Sequence, residues 1–360
     1  MRAAVCYEFG QPLVVEDIAF DPPQDGEVLV RMVAAGICHS DIHLIRGEWE
    51  GDVPVVAGHE GAGVVEAVGP GVTNVAVGDA VVVSLLRSCG LCFYCQTGSP
   101  FACDHQFALA AGTRLHSHDG APIRQGISTA CFAESAVVEQ SQLARVPHGF
   151  PMECAALLAC GVITGLGAVV NTAQVRPGSS VVVIGVGGVG LNSVQGALLS
   201  GAHPIIAIDT LDGKLEAARD FGATHGVNAT SPDALEQVKS LTGGKGADYV
   251  FVTVGSTAAA AQGLAMIRNG GALTLVGMPG RRDTFPVNVY ETVGRGIHIH
   301  GSRMGSTRLS VDIPRLVALY QAGKLKLDEL ITERYPFERI NDAIVSSERG
   351  EALRNVVVFQ

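Results

Sequence analysis

Between positions 181 and 190 the chain reads Val-Val-Val-Ile-Gly-Val-Gly-Gly-Val-Gly, an apolar strand that runs straight into a G-x-G-x-x-G spacing. Such a strand must turn sharply into a helix packed close beside it. Gly185 permits the turn, Gly187 lets the backbone approach a pyrophosphate, and Gly190 admits the helix to the strand. Gly188 and Val189 complete the turn, which leaves the helix N-terminus facing the phosphates. In a chain with 45 glycines the spacing alone is a weak signal, and a glycine turn in a nucleotide-free α/β domain reads the same way. Asp209 strengthens it, because it closes the next apolar strand, Ile205-Ile206-Ala207-Ile208. A carboxylate there accepts hydrogen bonds from both adenosine ribose hydroxyls and repels a 2′-phosphate, so NAD is expected over NADP. Lys214 either approaches that ribose or is a solvated helix residue.

The alternation continues downstream. Helical patterns at 189–199, 214–221 and 258–267 alternate with strand patterns at 205–208, 249–254 and 273–276, which predicts a parallel, doubly wound sheet. Residues 1–150 differ: short β-rich pieces at 28–33, 63–68 and 80–84 are punctuated by glycine, proline and aspartate. The tail holds helical pieces at 314–322 and 337–348 and a strand at 355–359. At 360 residues the chain has room for two domains.

The formal net charge of −10 argues against nucleic acid or anionic lipid as a partner and favours a small molecule. The N-terminus lacks the apolar core of a signal peptide, and charges or glycine-rich turns interrupt every apolar stretch that might span a bilayer. The expectation is a cytoplasmic protein whose nine cysteines stay reduced, so clustered cysteines are read as metal ligands.

Cys89, Cys92, Cys95 and Cys103 form C-x2-C-x2-C-x7-C. Four thiolates close a tetrahedral zinc with bonds of ~2.3 Å and leave no position for substrate, so this site is read as structural. A ferredoxin-type cluster needs three residues before the fourth cysteine and a proline after it, where this chain has seven and Asp104. A second constellation comprises Cys38-His39-Ser40-Asp41-Ile42-His43, Gly58-His59-Glu60-Gly61 and Ala159-Cys160-Gly161. A Cys, His, Cys set with an open fourth position is a catalytic zinc site, where the metal polarises an alcohol and lowers its pKa. Taken singly, each of these residues reads equally well as core filling, Cys160 included. Cys6, Cys131, Cys154, His105, His116, His118, His148, His203, His225, His298 and His300 are read as packing or solvated residues.

The three motifs, in this order, resemble the zinc-containing medium-chain alcohol dehydrogenases of the medium-chain dehydrogenase/reductase superfamily across nearly the whole chain. The resemblance implies an α/β protein. Its β-rich GroES-like catalytic domain would comprise 1–161 and 300–360, with a structural zinc lobe at about 86–104. Residues 162–299 would form the Rossmann NAD-binding domain, with the active site in the cleft between the two. Cys38, His59 and Cys160 take the places of the catalytic zinc ligands, with Glu60 beside the metal and Asp41 supporting His59. Ser40 and His43 take the places of a proton relay that runs through the nicotinamide ribose. His39 and Arg354 match pyrophosphate contacts, and Thr164 and Val189 the residues that push the nicotinamide towards the zinc. Val254, Val276 and Met278 fall where the cofactor is lined.

By the same resemblance, the substrate pocket takes Ser40, Trp49, Leu85, Phe132, Met278 and Arg303. Apolar and aromatic walls suit a medium-chain or benzylic primary alcohol. Trp49 also reads as simple packing, and an inward Arg303 would favour an acidic or carrier-linked substrate. The expected activity is reversible hydride transfer between a primary alcohol and NAD. The main alternative is a thiol-adduct formaldehyde dehydrogenase, which Arg349-Gly350-Glu351-Ala352-Leu353-Arg354 resembles, although the glutathione-using branch carries an acid where Trp49 stands. A further branch keeps its nicotinamide bound and needs an artificial acceptor. Other readings are a zinc-free quinone or enoyl reductase and a non-catalytic NAD- and zinc-binding protein. Segment 103–132 is as long as in dimeric members of that family and longer than in many tetrameric ones, so the resemblance implies a homodimer, with a homotetramer as the alternative.

Overall fold

Four consecutive β-branched residues, Val181–Ile184, have no polar side chain to turn towards water, and the strand they form is buried throughout. In the computed structural model, which describes residues 1–49, 51–110, 112–350 and 352–360, this strand lies inside a six-stranded parallel sheet. The strand order is His225–Asn228, Ile205–Asp209, Val181–Ile184, Ala247–Val252, Ile267–Leu275, His298–Gly301. Chain order reverses on either side of Val181–Ile184, and the crevice at the carboxyl ends of the strands there is where doubly wound sheets bind ligands. The helices Gly188–Leu199, Asp212–Asp220, Ala234–Leu241 and Thr257–Ala265 connect the strands. Val182, Ile206, Val250 and Leu273 anchor the core.

This Rossmann unit comprises Gly161–Thr307, so its end lies beyond the expected 299. Two sets of contacts hold the extra residues: His300 and Gly301 pair with Thr274 and Leu275 in the sheet, and the turn Arg303–Ser306 docks on the helical turn Ala168–Ala173. There the Asn171 amide donates to Gly305 O at 3.1 Å and Thr172 Oγ1 lies 2.8 Å from Ser306 Oγ. The strand His225–Asn228 and the helices Ala234–Leu241 and Val289–Arg295 are additions to the elements expected from sequence, although Ala234, Leu235, Val238 and Leu241 share one apolar face of the first helix. Val289–Arg295 turns Val289, Tyr290 and Val293 outward, which inverts the usual amphipathic signal.

The other unit comprises Met1–Cys160 and Arg308–Gln360. Its main sheet runs Leu143–Arg145, Ala80–Ser84, Glu60–Val68, Glu27–Gly36, Arg354–Val358, Ile331–Pro336, with Ser135–Glu139 also paired to Glu27–Gly36. A second six-stranded sheet includes Arg2–Cys6 and Pro122–Gln125. Val30, Met32, Val83, Phe132 and Val138 fill the core. The tail helix begins at Leu309, not at Pro314, because Asp312 accepts the Arg308 N–H at 2.8 Å and Leu309, Ile313, Leu316 and Val317 bury one face. Pro314 sits inside this helix. The second tail helix is Ile340–Glu348, preceded by a 3-10 turn at Phe337–Arg339.

Contrary to the expectation that charges and glycine turns interrupt every apolar stretch, one helix is long and apolar throughout its middle. Met152–Ala173 is a helix of 22 residues whose most apolar stretch has a mean hydropathy of 2.0, long and apolar enough to cross a bilayer. Its glycines do not break it. They admit neighbours instead: a Cβ on Gly165 would meet Asn192 Cβ at 2.9 Å and one on Gly167 would meet Gly305 Cα at 2.9 Å. The helix is 89% buried inside the protein over its most apolar window, as a core helix is. Two of its turns, Leu158–Val162 and Ala168–Ala173, are π-helical.

Candidate metal and cofactor sites

The seven-residue helix His39–Ile45 explains why the Cys38 segment is dense with polar residues. Ile42, Leu44 and Ile45 are buried beneath it, while Ser40 and His43, three residues apart, share a less buried face. Cys38 occupies the N-cap position in an extended conformation. His59 and Glu60 come from the start of the strand Glu60–Val68, and Cys160 from the π-helical turn Leu158–Val162. Ligand atoms of Cys38, His59, Glu60 and Cys160 all lie within 4.8 Å of one another. All four residues are buried.

A metal fits this arrangement. Among the described residues, His59 Nε2 and Glu60 Oε1 find no hydrogen-bond partner in their buried positions, a costly state that coordination removes. Two thiolates and an imidazole are the donor set of catalytic zinc. The fully buried Asp41 carboxylate orients the histidine: its Oδ1 accepts the Gly58 N–H at 2.8 Å and its Oδ2 lies 2.9 Å from His59 Nδ1. A proton held on Nδ1 leaves Nε2 free for metal. Gly58 adopts φ +95°, and a Cβ there would meet Phe132 N at 2.6 Å, so the segment entering His59 requires glycine.

The electrostatics of the cluster favour a cation. A hydrogen bond from Cys160 holds the Cys38 thiol well below its usual range against the opposing effect of burial, with His59 and Arg354 assisting. The same hydrogen bond and burial push Cys160 up. Burial would lower His59, but Asp41 and Cys38 outweigh it and raise the imidazole well above its usual value. Burial raises the Glu60 carboxyl to about 7 in spite of the neighbouring guanidinium. That guanidinium belongs to Arg354, which is buried and ion-paired with Glu60. The structure pairs Arg354 with Glu60, and a buried carboxylate gains a countercharge from it.

His43 Nδ1 is hydrogen-bonded to Glu48, and its ring stacks on Trp49 with centroids 5.5 Å apart. Sequence reasoning missed Glu48, for which the only signal was its place five residues after His43. His39 is exposed, and its charge lowers the Glu348 carboxyl, secondary to the Arg46 ion pair. Leu85 is half-buried. Phe132, expected on the pocket wall, is completely buried in the core against Gly58. Glu351 lies outside the described residues.

The second cluster is Cys89, Cys92, Cys95 and Cys103. Cys103 Sγ lies 3.7 Å from both Cys89 Sγ and Cys92 Sγ. This is the edge of a tetrahedron with arms of about 2.3 Å, and far beyond a disulfide of about 2.05 Å. The Leu91 and Cys92 N–H groups donate to Cys89 Sγ and bring its thiol down to about 6, while burial pushes Cys95 up to about 12. Leu91 and Phe93 are 79% and 73% exposed, so this lobe has little apolar core. Cys6, Cys131 and Cys154 are free and buried, as packing residues are.

In the Rossmann unit, the Val186 and Leu211 N–H groups donate to Asp209 at 2.9 and 3.1 Å and fix its carboxylate beside the glycine turn. A Cβ on Gly187 would meet nothing within 4 Å, which leaves the backbone open to a phosphate, whereas one on Gly190 would strike Gly185 O. Gly188 and Val189 start the helix, and Lys214 lies in the first turn of Asp212–Asp220. Thr164 is buried and donates to Met304 Sδ at 3.6 Å. Val276 is buried, Val254 and Met278 are 39% and 68% exposed, and Arg303 is exposed on its turn.

Comparison with known proteins agrees with these features. The alcohol dehydrogenase GroES-like domain family matches residues 24–148, and the zinc-binding dehydrogenase family matches residues 188–322. An NDMA-dependent alcohol dehydrogenase of Amycolatopsis methanolica is 38% identical over 99% of this chain and 98% of its own length. A putative alcohol dehydrogenase D of Mycobacterium tuberculosis is 39% identical over 99% of both. Among solved structures, benzyl alcohol dehydrogenase from Acinetobacter calcoaceticus superimposes with a TM-score of 0.92 at 33% identity, covering 100% of this chain and 99% of that one. An alcohol dehydrogenase zinc-binding domain protein from Burkholderia ambifaria gives 0.95 at 35% identity, covering 100% and 98%. Two clusters able to hold a metal and a doubly wound unit, in a chain matched along its whole length, make this protein a member of the zinc-containing medium-chain alcohol dehydrogenase family.

Proposed function

We propose that this alcohol dehydrogenase transfers a hydride reversibly between a primary alcohol, aliphatic or benzylic, and NAD. The observation that carries the reading is the buried Cys38, His59, Glu60, Cys160 cluster, whose His59 Nε2 has no protein partner. Cys38, His59 and Cys160 would hold zinc, which would polarise the alcohol oxygen, and NAD held by the glycine turn would accept the hydride. The remaining steps fall to the chain. Ser40 Oγ takes the hydroxyl proton and His43 carries it outward, with Glu48 and Trp49 fixing the imidazole. Asp41 keeps the metal-facing nitrogen of His59 unprotonated. Asp209 holds the adenosine ribose, and its charge opposes a 2′-phosphate. The aromatic face of Trp49 supports the benzylic preference.

A second reading draws on the NDMA-dependent relative: a resident nicotinamide is reoxidised in place by an artificial acceptor. The test is oxidation of aliphatic, benzylic, acidic and thiol-adduct alcohols with NAD, and then with NDMA alone. A preference for benzylic or aliphatic alcohols with added NAD supports the first reading. Turnover with NDMA alone supports the second, and turnover of the thiol adduct alone overturns both in favour of a formaldehyde dehydrogenase.

A further inference from the structure

Gln142 lies far in sequence from every expected ligand, yet its side chain is completely buried and uses its full hydrogen-bonding capacity. Its Oε1 accepts the Glu139 N–H and the Arg87 Nε–H, each at 3.1 Å. Its Nε2 donates to Ser84 O and to Ser128 O, each at 3.0 Å. Each of these carbonyls leads to a metal ligand. Ser84 Oγ donates to Ala159 O at 2.7 Å, the carbonyl adjoining Cys160. Beyond Ser128, Thr129 Oγ1 donates to Gly58 O at 2.7 Å, the carbonyl adjoining His59. Ser84 and Thr129 are also fully buried.

The segment between these contacts is strained. Ile127, Ser128 and Ala130 adopt φ of 47°, 66° and 61°, which is costly for residues with a Cβ and most of all for a β-branched one. Such strain persists only where surrounding contacts over-determine it, and here the contacts are those of Gln142, Arg87 and Thr129.

We infer that Gln142 is a positioning residue of the catalytic metal, setting the separation of His59 and Cys160 through Ser128–Thr129 on one side and Ser84 on the other. The inference rests on the metal site proposed above. The bland alternative is that Gln142 only caps the turn Gln140–Gln142, a role that uses Oε1 alone. Gln142→Glu separates the two, since a carboxylate keeps both acceptor contacts and loses both donors. Thr129→Val removes one hydroxyl at nearly constant shape, and Thr129→Ser restores it.

The experiment measures zinc content, zinc release to a colorimetric chelator and the absorption spectrum after cobalt substitution, for the parent and the three variants. Two zincs in the parent support the site itself; one zinc contradicts that reading, and this inference falls with it. Given two, Gln142→Glu and Thr129→Val should keep the cysteine-cluster metal, lose the other about 10-fold more readily and shift the cobalt spectrum, with Thr129→Ser close to the parent. If Gln142→Glu does not fold, Thr129→Val against Thr129→Ser decides. Parent-like release and spectrum in the folded donor-deleting variants would overturn the inference.

Discussion

Asp41 Oδ2 lies 2.9 Å from His59 Nδ1, and the two side chains are 1% and 0% exposed. Water therefore cannot replace the carboxylate if it is removed. Asp41→Asn should weaken binding of the catalytic metal by about 10- to 100-fold while leaving the cysteine-cluster metal in place. Metal analysis after dialysis against a weak chelator checks this, and unchanged retention of both metals would count against the role given to Asp41.

Cys103 sits 3.7 Å from two of its three fellow cysteines in a lobe with little apolar core. Cys103→Ser should remove one zinc of two and lower the melting temperature by at least about 5 °C, since 1 kcal/mol is worth roughly 2–4 °C in a domain of this size. Calorimetry with metal analysis tests it. An unchanged melting temperature would mean that the lobe orders without its ion.

Asp209 carries its carboxylate on two backbone N–H groups. Asp209→Asn should raise KM for NAD by about 10- to 100-fold, the value of a charge-assisted hydrogen bond, and narrow the discrimination against NADP. Steady-state kinetics with both cofactors decide. Equal losses for NAD and NADP would point to a purely structural residue.

Asp248 ties two strands of the Rossmann sheet together. Burial would raise its pKa, but donors from Ser180 and the Arg268 guanidinium outweigh it and hold the carboxyl below the usual aspartate value. Since the folded pKa lies below the unfolded one, the contribution is complete above about pH 4 and is lost as pH falls through the folded value. Denaturant melts should show Asp248→Asn less stable than the parent at pH 6, with the gap closing in acid. A constant gap would assign the cost to packing.

What the sequence reveals follows from how close the cooperating residues stand along the chain. Cys89, Cys92, Cys95 and Cys103 fall within one loop, and the glycine turn follows its strand directly, so both chemistries are legible as spacing. Pairings across the chain are not. Glu60 and Arg354 meet across 294 residues, and Gln142 reaches Ser84 across 58. An arginine suits either an anion or a buried carboxylate, so the Glu60 partner of Arg354 is visible only in the fold. Phe132 shows the same limit: an aromatic residue beside a metal-site loop reads as pocket wall or as core, and here the core holds it.

The most direct test of the account is one turnover of the whole protein with benzyl alcohol deuterated at the carbinol carbon, NAD supplied, and the reduced nicotinamide recovered for mass analysis. Deuterium is expected in the nicotinamide with the parent chain and none with Cys38→Ser. Deuterium transfer that is equal in both, or absent from both, would contradict hydride transfer at the Cys38, His59, Cys160 site.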